Sequence, residues 1–477
     1  MNTGAFRIID RLGVPLGALS VDSRRVNAAT AFVAYPGESD DGRNYINEAV
    51  AAGTAGVFWD ADNFSWRELW QVPNVAVPDL RAQCGYIADI IYGAPSKRLP
   101  LIAITGTNGK TTVAHFIVQL LAQCERDCGM IGTLGAGMPG RLAPLANTTP
   151  DAISINDCLQ QFIRQGAKAA VLEASSHGIV HGRLNGLQMQ AAVLTNATRD
   201  HLDYHGSVEK YWQAKAALFA MPNIANAIFN ADDELSQRLI KSAAQPLTYG
   251  KNGNALKLLE FATVAGGMQL TVDGVLGKRN ILLPIVGEYN AYNFMAAALV
   301  LTTLQISVED ILQAATRLTL PAGRMQKINA APKIYVDYAH TPAAMTAVLA
   351  EARTLAGGGR LILVCGAGGE RDVGKRGEMG LVAATYADVT IITDDNPRNE
   401  DPEKIRNEVG NNIPNAISIG DRREAIATAI EQLTAADMLL VLGKGHETTQ
   451  QIGSEYLPFS DADVILEVLA EQGEQGQ

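Results

Sequence analysis

The chain has 477 residues, which at about 150 residues per domain predicts roughly three domains. Hydrophobic residues make up 47% and charged residues 19%, so the chain can bury several cores and has no long segment of disordered composition. The 50 acidic residues outnumber the 39 basic ones, and the net charge of −11 argues against a general nucleic-acid-binding surface. A local cationic pocket is compatible with this average.

Signals for a membrane or for secretion are missing from the sequence. A membrane-spanning helix needs about 18 consecutive apolar residues, and no run in the sequence is that long, so membrane insertion is not expected. The start lacks a basic end followed by an apolar segment, so a secretory signal is not expected either. The five cysteines are scattered and odd in number, which favours free thiols in a reducing cytoplasm. They are Cys84, Cys124, Cys128, Cys158 and Cys365. Cys124 and Cys128 are expected one turn apart on a helix, as buried thiols and not as a zinc site.

Short apolar runs alternate with helix-length segments along the chain. Such runs are typical of parallel strands that are buried on both faces, so the predicted fold class is α/β. The predicted strands include residues 56–58, 101–104, 169–172, 192–194, 361–364, 389–392 and 438–442. The segment 250–285 is expected to be a strand-rich insertion.

Two junctions divide the chain into predicted domains. The proline-bracketed polar stretch 94–100 precedes a predicted strand, and the stretch 320–324 separates a helix from the predicted strand 333–337. We therefore expect domains at residues 1–97, 98–325 and 326–477.

The strongest local motif is TGTNGKTT at residues 105–112, between a predicted strand and a predicted helix at 113–124. A glycine loop in this position presents backbone N–H groups and a helix N-terminus to phosphate. Lys110 would reach the terminal phosphates, and the Thr111 hydroxyl would hold Mg²⁺. The strict phosphate-loop pattern has a glycine where Ile104 stands, and Gly106 is the only earlier glycine. We expect the loop to bind ATP; the alternative is a glycine turn with a surface lysine.

Polar residues follow two further predicted strands, at the edge where α/β sheets bind ligands. Glu173 comes directly after residues 169–172 and has the oxygen ligands that Mg²⁺ prefers, although it and His177 could equally cap a helix. A second cluster follows the strand 192–194 and has the composition of a divalent-metal shell, the alternative being a solvated polar loop. Its members are Asp200, His201, Asp203 and His205.

Lys215 is the one lysine of an otherwise apolar helical segment, 211–219. Most lysines in such a position extend the ammonium to solvent. The alternative is a chemically modified lysine, which the sequence does not show directly.

Together these motifs closely resemble the ATP-dependent Mur ligases of peptidoglycan synthesis, which depart from the strict phosphate-loop spacing in the same way. TGTNGKTT is followed by EASSHG at 173–178, TNATRDHLDYHG at 195–206 and YWQAK at 211–215. Seven further strings also fit: DSR at 22–24, NTTP at 147–150, GEYNAYN at 287–293, DYAHTP at 337–342, GAGGERD at 366–372, DNPR at 395–398 and GKGHE at 443–447. The resemblance covers nearly the whole chain.

The resemblance implies an architecture that agrees with the two junctions. An N-terminal α/β domain would bind the UDP end of the substrate, and a central domain with a parallel sheet like that of phosphate-loop ATPases would bind ATP. A C-terminal Rossmann-like α/β domain would bring the incoming amino acid. DNPR resembles the members that add meso-diaminopimelate to UDP-N-acetylmuramoyl-L-alanyl-D-glutamate, because a guanidinium can grip the distal carboxylate that L-lysine lacks.

The resemblance also implies roles for the matching residues. ATP would be bound by Gly106, Thr107, Asn108, Gly109, Lys110, Thr111, Thr112, Asn293, Arg324 and His340. The UDP-muramoyl-dipeptide would be bound by Ser23, Asn147, Thr148, Thr149, Ser175, His181 and Arg183. Diaminopimelate would be bound by Arg371, Asp395, Asn396, Pro397, Arg398, Gly443 and Glu447. The catalytic residues would be Lys110, Glu173, His201 and Lys215, with Mg²⁺ held by Thr111, Glu173, His201 and a carbamylated Lys215.

The implied reaction has two steps in a cytoplasmic, monomeric enzyme. The D-glutamyl carboxylate attacks the γ-phosphate of ATP, giving an acyl phosphate and ADP, and the amino group of diaminopimelate then displaces phosphate. Two places depart from the family: His181 stands where relatives often have glutamine, and residues 38–40 replace more neutral residues near the uridine.

Three other functions are compatible with part of the sequence. A folylpolyglutamate synthase shares the modified phosphate loop and the carbamylated lysine, but DSR and DNPR argue against it. A phosphate-loop kinase explains residues 101–125 and leaves the third domain without a role. A non-catalytic regulator is expected to have lost catalytic residues, whereas Lys110, Glu173, His201 and Lys215 are all present.

Overall fold

The computed structural model of the chain describes residues 3–37 and 40–475. Three sheets follow one another along the chain, with four, 11 and six strands, and a two-stranded hairpin comes after the third. The predicted α/β class is confirmed. No sheet crosses a predicted junction, and the division at residues 97 and 325 stays a prediction. Of the loop expected near the uridine, Glu38 and Ser39 lie outside the described residues, and Asp40 accepts a hydrogen bond from Tyr45.

The N-terminal sheet is parallel, in the order β1-β2-β3-β4. Its two inner strands are buried at every position, as expected for strands covered on both faces. The elements of this part are α1 (Thr3–Leu12), β1 (Ala18–Ser20), a 3₁₀ turn (Ser23–Arg25), β2 (Thr30–Ala34), a 3₁₀ turn (Gly42–Tyr45), α2 (Ile46–Ala51), β3 (Gly56–Asp60), β4 (Asn74–Val77), α3 (Leu80–Ile91) and α4 (Pro95–Arg98).

The central sheet contains the phosphate-loop strand. Its elements are β5 (Leu101–Thr105), α5 (Lys110–Gln123), β6 (Cys128–Gly132), β7 (Gly135–Met138), β8 (Arg141–Ala143), α6 (Ala152–Arg164), β9 (Ala169–Glu173), α7 (Ser176–Val180), β10 (Ala191–Leu194), α8 (Leu202–His205), α9 (Val208–Phe219), β11 (Ala227–Asn230), α10 (Glu234–Ile240), β12 (Leu247–Gly250), β13 (Leu256–Val264), β14 (Gly267–Gly274), β15 (Arg279–Leu283), α11 (Glu288–Thr303) and α12 (Val308–Ala315).

The strand order of this sheet is β15-β14-β13-β12-β11-β10-β5-β9-β6-β7-β8. The strands from β13 to β6 are parallel, as predicted, whereas hairpins add antiparallel strands at both ends. The strand-rich insertion at 250–285 is confirmed, and it forms the β13–β15 end of the sheet. The loops after β5, β9 and β10 lie at the carboxyl edge of adjacent parallel strands, where the predicted ligand residues are found.

The C-terminal sheet has the order β16-β17-β21-β18-β19-β20, in which all strands but β16 are parallel. A separate antiparallel hairpin, β22–β23, lies beside the loop that follows β19. The elements are β16 (Gln326–Asn329), β17 (Lys333–Asp337), α13 (Pro342–Ala356), β18 (Leu361–Cys365), α14 (Gly374–Tyr386), β19 (Val389–Ile392), α15 (Pro402–Gly410), β20 (Ile417–Ser418), α16 (Arg422–Glu431), β21 (Met438–Leu442), β22 (Thr449–Ile452), β23 (Glu455–Pro458) and α17 (Asp461–Gln475).

One local prediction about the cysteines is wrong. Cys124 follows the last residue of α5 and Cys128 begins β6, so the two do not share a helix. Glu125 between them has φ +57°, a left-handed conformation that ends the helix and turns the chain toward the strand. All five cysteines are free thiols, and burial raises the pKa of the Cys158 thiol to about 11. In the described part of the chain, no helix has the length and apolar character needed to cross a membrane.

A buried ion pair joins two helices of the C-terminal part. Arg422 at the start of α16 donates to both carboxylate oxygens of Asp461 at the start of α17, over 2.7 and 2.8 Å. Both side chains are fully enclosed, and Arg422 also donates to the carbonyl of Leu442. A carboxylate in such a place depends on its partner, because removal of the guanidinium leaves a buried charge without compensation.

We therefore predict that Arg422→Met lowers the free energy of unfolding by about 3–5 kcal/mol. The matched control is Arg423→Met, because the neighbouring arginine makes only exposed ion pairs, with Glu467 and Glu471. The control is expected to leave the urea midpoint unchanged. Urea denaturation followed by circular dichroism compares Arg422→Met with Arg423→Met. Equal urea midpoints for the two variants would contradict a stabilising role of the buried ion pair.

Candidate active site

The phosphate-loop motif forms a turn between β5 and α5, and the helix begins at Lys110. Gly106 has φ +151°, and a Cβ there would lie 1.9 Å from the Thr195 hydroxyl, so the loop has room only for glycine. The Lys110 ammonium donates to the carbonyls of Gly106 and Thr107 over 2.8 and 3.0 Å. Burial lowers the pKa of Lys110. A cation is therefore held over a helix N-terminus, an arrangement suited to phosphate.

Glu173 is the fully buried last residue of β9. Its carboxylate accepts hydrogen bonds from the Thr111 hydroxyl over 2.9 Å and from the backbone N–H and hydroxyl of Thr133, each over 3.0 Å. The two oxygen ligands expected for Mg²⁺ thus lie side by side. Thr133 was not predicted, because it stands among glycines and apolar residues and only the pairing of β6 with β9 brings it to the carboxylate.

His201 lies in the loop between β10 and α8, with a left-handed φ of +52°. Its Nε2 lies 3.5 Å from a carboxylate oxygen of Asp200, and its ring lies 5.0 Å from that of His177. Burial lowers the pKa of His201 to about 3, although the carboxylate of Asp200 opposes the shift. The imidazole is therefore neutral near pH 7, the form in which histidine binds metal ions.

The prediction of a four-residue metal shell around His201 is wrong. Asp203 is exposed on α8, and His205 is buried with its Nε2 2.9 Å from the Ser176 hydroxyl. Asp203 and His205 are two residues apart, about 200° around the helix, so their side chains point in different directions although they are close in sequence. Among the described residues, no group of three His, Cys, Asp or Glu side chains could hold a metal ion.

Lys215 is buried on α9 and does not reach solvent, so the solvent-extended alternative is wrong. Its Nζ lies 4.4 Å from the centroid of the Tyr211 ring. Within the described part of the chain it has neither a hydrogen bond nor an ion pair. Burial lowers the pKa of Lys215 well below its usual value, and the charge of Lys110 adds to the shift. Lys215 is therefore a buried amine that favours its neutral form.

A cavity of about 900 Å³ lies between the central and C-terminal sheets. It brings together most residues predicted for ATP, along with residues predicted for the two other substrates. Those lining it are Thr107, Asn108, Gly109, Lys110, Thr111, Thr112, Thr148, Ser175, His201, Asn293, Arg324, His340 and Arg371. Gly106, also predicted for ATP, does not line this cavity. The Arg324 guanidinium stacks 4.3 Å from the centroid of the Tyr338 ring, which also lines this cavity and was not predicted.

A second cavity, of about 180 Å³, adjoins the first. The residues predicted for diaminopimelate that line it are Arg371, Asp395, Asn396, Arg398, Gly443 and Glu447. Pro397 does not line it. The two cavities share a wall, formed by Asp200, His201, Tyr338, His340 and Arg371.

Hydrogen bonds fix the polar groups of the second cavity. Asn396 donates to Glu447 over 2.9 Å, and the fully buried Lys444 donates to both, over 3.1 and 3.0 Å. Arg398 donates to the carbonyl of Gly369 over 2.5 Å. Burial lowers the pKa of Arg398, and the nearby charge of Arg371 contributes. The cavity thus presents a guanidinium and a carboxylate close together.

Lys375 is a further cation of this cavity that the sequence did not single out. It is buried on α14, with its Nζ 3.9 Å from a carboxylate oxygen of Asp200. Burial lowers its pKa. Beside it, Arg199 of the central part pairs with Asp372 at 3.1 Å and with Glu378 at 2.9 Å, which ties the two sheets together. These contacts join distant segments, so no local pattern could reveal them.

The residues predicted for the dipeptide occupy three places. Thr149 donates to the carbonyl of Glu173 and accepts from the Ser175 N–H, and Arg183 donates to the carbonyl of Thr149 over 2.6 Å. His181 lies with one ring nitrogen 3.0 Å from Arg81 of α3, a residue that was not predicted. Five members line neither cavity, namely Ser23, Asn147, Thr149, His181 and Arg183. Ser23 donates to Glu48 over 3.0 Å, and Asn147 is exposed.

Comparisons with known proteins agree with this geometry. The Mur ligase middle domain model matches residues 104–301, and the model for the Mur ligase, glutamate ligase domain matches residues 323–445. A UDP-N-acetylmuramoyl-L-alanyl-D-glutamate–2,6-diaminopimelate ligase from Chromobacterium violaceum is 40% identical, over 98% of this chain and 97% of its own. This chain belongs to the Mur ligase family. It is an ATP-dependent ligase that joins a carboxylic acid to an amino acid.

Solved structures place the fold of this Mur ligase among its relatives. A structure named as a UDP-N-acetylmuramoyl-L-alanyl-D-glutamate–2,6-diaminopimelate ligase is 33% identical, covers 96% of each chain and gives a TM-score of 0.68. A folylpolyglutamate synthase of Mycobacterium tuberculosis, solved with ADP and AMPPCP, is 20% identical to this chain. The match covers 76% of this chain and 92% of the synthase chain, with a TM-score of 0.64. The second likeness is one of fold alone.

The Glu173 network of this Mur ligase gives a stability prediction. Thr133→Val removes a hydroxyl that donates to the buried carboxylate, and we expect it to lower the free energy of unfolding by about 1–3 kcal/mol. Thr148→Val is the control, since its hydroxyl lies 3.2 Å from that of Thr133 and does not contact the carboxylate. Chemical denaturation measures the free energy of unfolding of both variants. A smaller loss of stability in Thr133→Val than in the control would contradict the prediction.

Proposed function

We propose that this Mur ligase adds meso-diaminopimelate to the D-glutamate of UDP-N-acetylmuramoyl-L-alanyl-D-glutamate, giving the UDP-muramoyl-tripeptide, ADP and phosphate for peptidoglycan synthesis. The observation that carries the proposal is the small cavity lined by Arg398, Asn396 and Glu447, which adjoins the phosphate-loop cavity. Relatives named as 2,6-diaminopimelate ligases, at 40% and 33% identity, support it.

The charges of the small cavity match the distal end of diaminopimelate. That end carries a carboxylate and an ammonium on one carbon, and the cavity offers the Arg398 guanidinium to the first and the Glu447 carboxylate to the second. L-lysine has the ammonium but not the carboxylate, so its binding would leave the guanidinium without a partner. A guanidinium that is removed from water and left without a carboxylate partner lowers the affinity for L-lysine severalfold or more.

The first step joins the dipeptide to phosphate. The D-glutamyl carboxylate attacks the γ-phosphorus of ATP and the bond to the β-phosphate oxygen breaks, so ADP leaves and an acyl phosphate forms. Lys110, held over the loop, stabilises the negative charge that the phosphate oxygens carry. Thr148 and Ser175 line the same cavity and would position the dipeptide beside the γ-phosphate.

The oxygen and nitrogen ligands near the phosphate loop fit Mg²⁺. The Thr111 hydroxyl and the Glu173 carboxylate lie together and would hold one ion, and the neutral His201 with a carbamylated Lys215 would hold a second. When bound, Mg²⁺ supplies positive charge to the phosphate oxygens. Phosphate oxygens and water would complete each set of ligands, because the described protein side chains alone provide too few.

The surroundings of Lys215 support its carbamylation. The buried amine lies beside the Tyr211 ring, and its lowered pKa favours the neutral form, whose lone pair attacks the carbon of CO₂ with loss of one proton. The product replaces a cation by an anion with two oxygen ligands. A buried ammonium without a hydrogen bond would otherwise be costly.

The second step takes place across the wall that the two cavities share. The neutral amino group of diaminopimelate attacks the acyl carbonyl, and a tetrahedral intermediate forms. Its collapse breaks the bond to the phosphate oxygen and leaves the amide, and the proton lost by the amine leaves with the phosphate as HPO₄²⁻. The small cavity adjoins the phosphate-loop cavity, and this supports a path by which the amine would reach the acyl phosphate. The pairs of Arg199 with Asp372 and Glu378 hold the two sheets together, which helps to keep water from the acyl phosphate.

A folylpolyglutamate synthase is the nearest alternative, and its fold matches only part of this chain. The small cavity argues against it, because the Arg398, Asn396 and Glu447 arrangement suits a diamino acid with two charged ends. The monomeric state and the cytoplasmic location stay predictions, as do the roles of Ser23 and Asn147, which line neither cavity.

We predict that Arg398→Ala lowers kcat/KM for diaminopimelate on the order of 100-fold, the effect of losing a charge-assisted bidentate contact. The enzyme is given meso-diaminopimelate and L-lysine at equal concentrations, and mass spectrometry shows which amino acid the tripeptide product contains. The wild type is expected to give only the diaminopimelate tripeptide. Arg423→Ala, on the remote helix α16, is the control. A lysine-containing product from the wild type would contradict the selectivity assigned to Arg398, although the chain would still act as a ligase.

We predict that Lys215→Ala lowers kcat on the order of 100-fold, because a ligand for the phosphate-neutralising metal is lost. Added formate or acetate is expected to restore part of the activity by supplying the missing carboxylate. Lys210→Ala, an exposed lysine on the same helix, is the control and should behave as the wild type. Full activity of Lys215→Ala without added carboxylate would end the carbamate proposal.

A further inference from the structure

The loop at residues 394–398 carries Asp395, Asn396 and Arg398 and follows the last residues of β19. Much of its support comes from the β22–β23 hairpin, which lies outside the main sheets. The Arg398 N–H donates to the carbonyl of Gln451 over 3.2 Å, and the Gly453 N–H donates to the carbonyl of Arg398 over 2.8 Å. The Gln451 N–H also donates to the Asn396 side chain over 2.8 Å.

These contacts matter because Arg398 has a left-handed backbone, with φ +54°. A non-glycine residue keeps this conformation only when its surroundings fix it. Here both backbone polar groups of Arg398 are occupied by the hairpin. The direction in which the guanidinium leaves the backbone is therefore set by the hairpin. The same strand supplies one of the hydrogen bonds that hold the Asn396 side chain, beside those of Lys444 and Glu447.

Gln450 adds a side-chain contact to this backbone support. It is buried, and its amide donates to the carbonyls of Asp395 over 2.9 Å and Asp394 over 3.3 Å. Among the described hairpin residues, no other side chain donates to the backbone of this loop. Gln450 thus holds the start of the loop while the strand holds its end.

We propose that the β22–β23 hairpin is the template for the loop that selects the amino acid, and that Gln450 is a positioning residue for selectivity toward diaminopimelate. This inference rests on the proposed function and deepens it. A displacement of about 1 Å is enough to spoil bidentate binding of a carboxylate, so a small loosening of the loop weakens the recognition that separates diaminopimelate from lysine. The phosphate-loop cavity is built from other segments and is unaffected.

Gln450→Met tests the proposal, because it keeps the length of the side chain and removes the amide donor. The expected result is a KM for diaminopimelate raised at least roughly tenfold, with KM for ATP and for the dipeptide within about twofold of wild type. In competition with L-lysine, the share of lysine product rises. Gln450→Asn keeps an amide on a shorter side chain and should lie between wild type and Gln450→Met.

Gln451→Met is the matched control on the same strand. Its side-chain amide donates only to the carbonyl of Gly453 inside the hairpin, over 3.2 Å. The substitution therefore changes the hairpin and leaves in place the backbone groups of residue 451 that hold Asn396 and Arg398. It is expected to keep the wild-type KM for diaminopimelate. Thermal melting of all three variants shows whether each is folded.

Three outcomes would overturn the inference: an unchanged KM for diaminopimelate in folded Gln450→Met, an equal rise of all three KM values, or the same rise in Gln451→Met. If Gln450→Met does not fold, Gln450→Asn decides by the same measurements. Failure of the proposed function itself looks different, because the wild type would then give no diaminopimelate product.

Discussion

Cations enclosed in a negatively charged protein are the constraint on which the site depends. Lys375 is buried, and Lys110 is half-buried. Their contacts are backbone carbonyls and one carboxylate at 3.9 Å. Burial lowers the pKa of both lysines, because few groups around them compensate the charge. A site of this kind is stabilised by anions, and ATP and an acidic dipeptide are anions of high charge.

The acidic groups of the site differ from the lysines, because hydrogen-bond donors surround them and compensate their charge. Glu173 accepts three hydrogen bonds from neutral donors, and Glu447 accepts from Asn396 and Lys444. In the shared wall between the cavities, burial lowers the pKa of both His201 and His340, so these two imidazoles add no positive charge. The charged groups of that wall are Asp200 and Arg371.

Much of the fold could be predicted from the sequence, because its signals are local. A run of apolar residues such as 361–364 is buried on both faces wherever it lies in a parallel sheet, and the glycines at 106 and 109 predict the phosphate turn by themselves. The end of α5 could not be predicted in the same way, since Glu125 adopts a left-handed backbone that ordinary propensities do not favour. The same holds for Asp203 and His205, which are close in sequence although one is exposed and the other is buried.

The missed residues of the site share one property, which is contact between segments far apart in the chain. Thr133 reaches Glu173 through strand pairing, Lys375 reaches Asp200 across two sheets, and Gln450 reaches the loop after β19. Each is an ordinary polar residue in its own segment. Family resemblance supplied the residues expected to touch substrate, whereas these three hold or face such residues and become visible only when distances are known.

The two ends of the site are built by different physical means. The ATP end depends on the backbone geometry of the phosphate turn, in which Gly106 has a positive φ and no room for a side chain and α5 begins directly after the turn. The amino-acid end depends on side chains and on a hairpin outside the main sheets. On the proposed roles of Gln450 and Arg398, a change at either residue is expected to alter which amine is accepted without disturbing the phosphate turn. A fold arranged in this way can keep one activation chemistry while the selected amino acid changes.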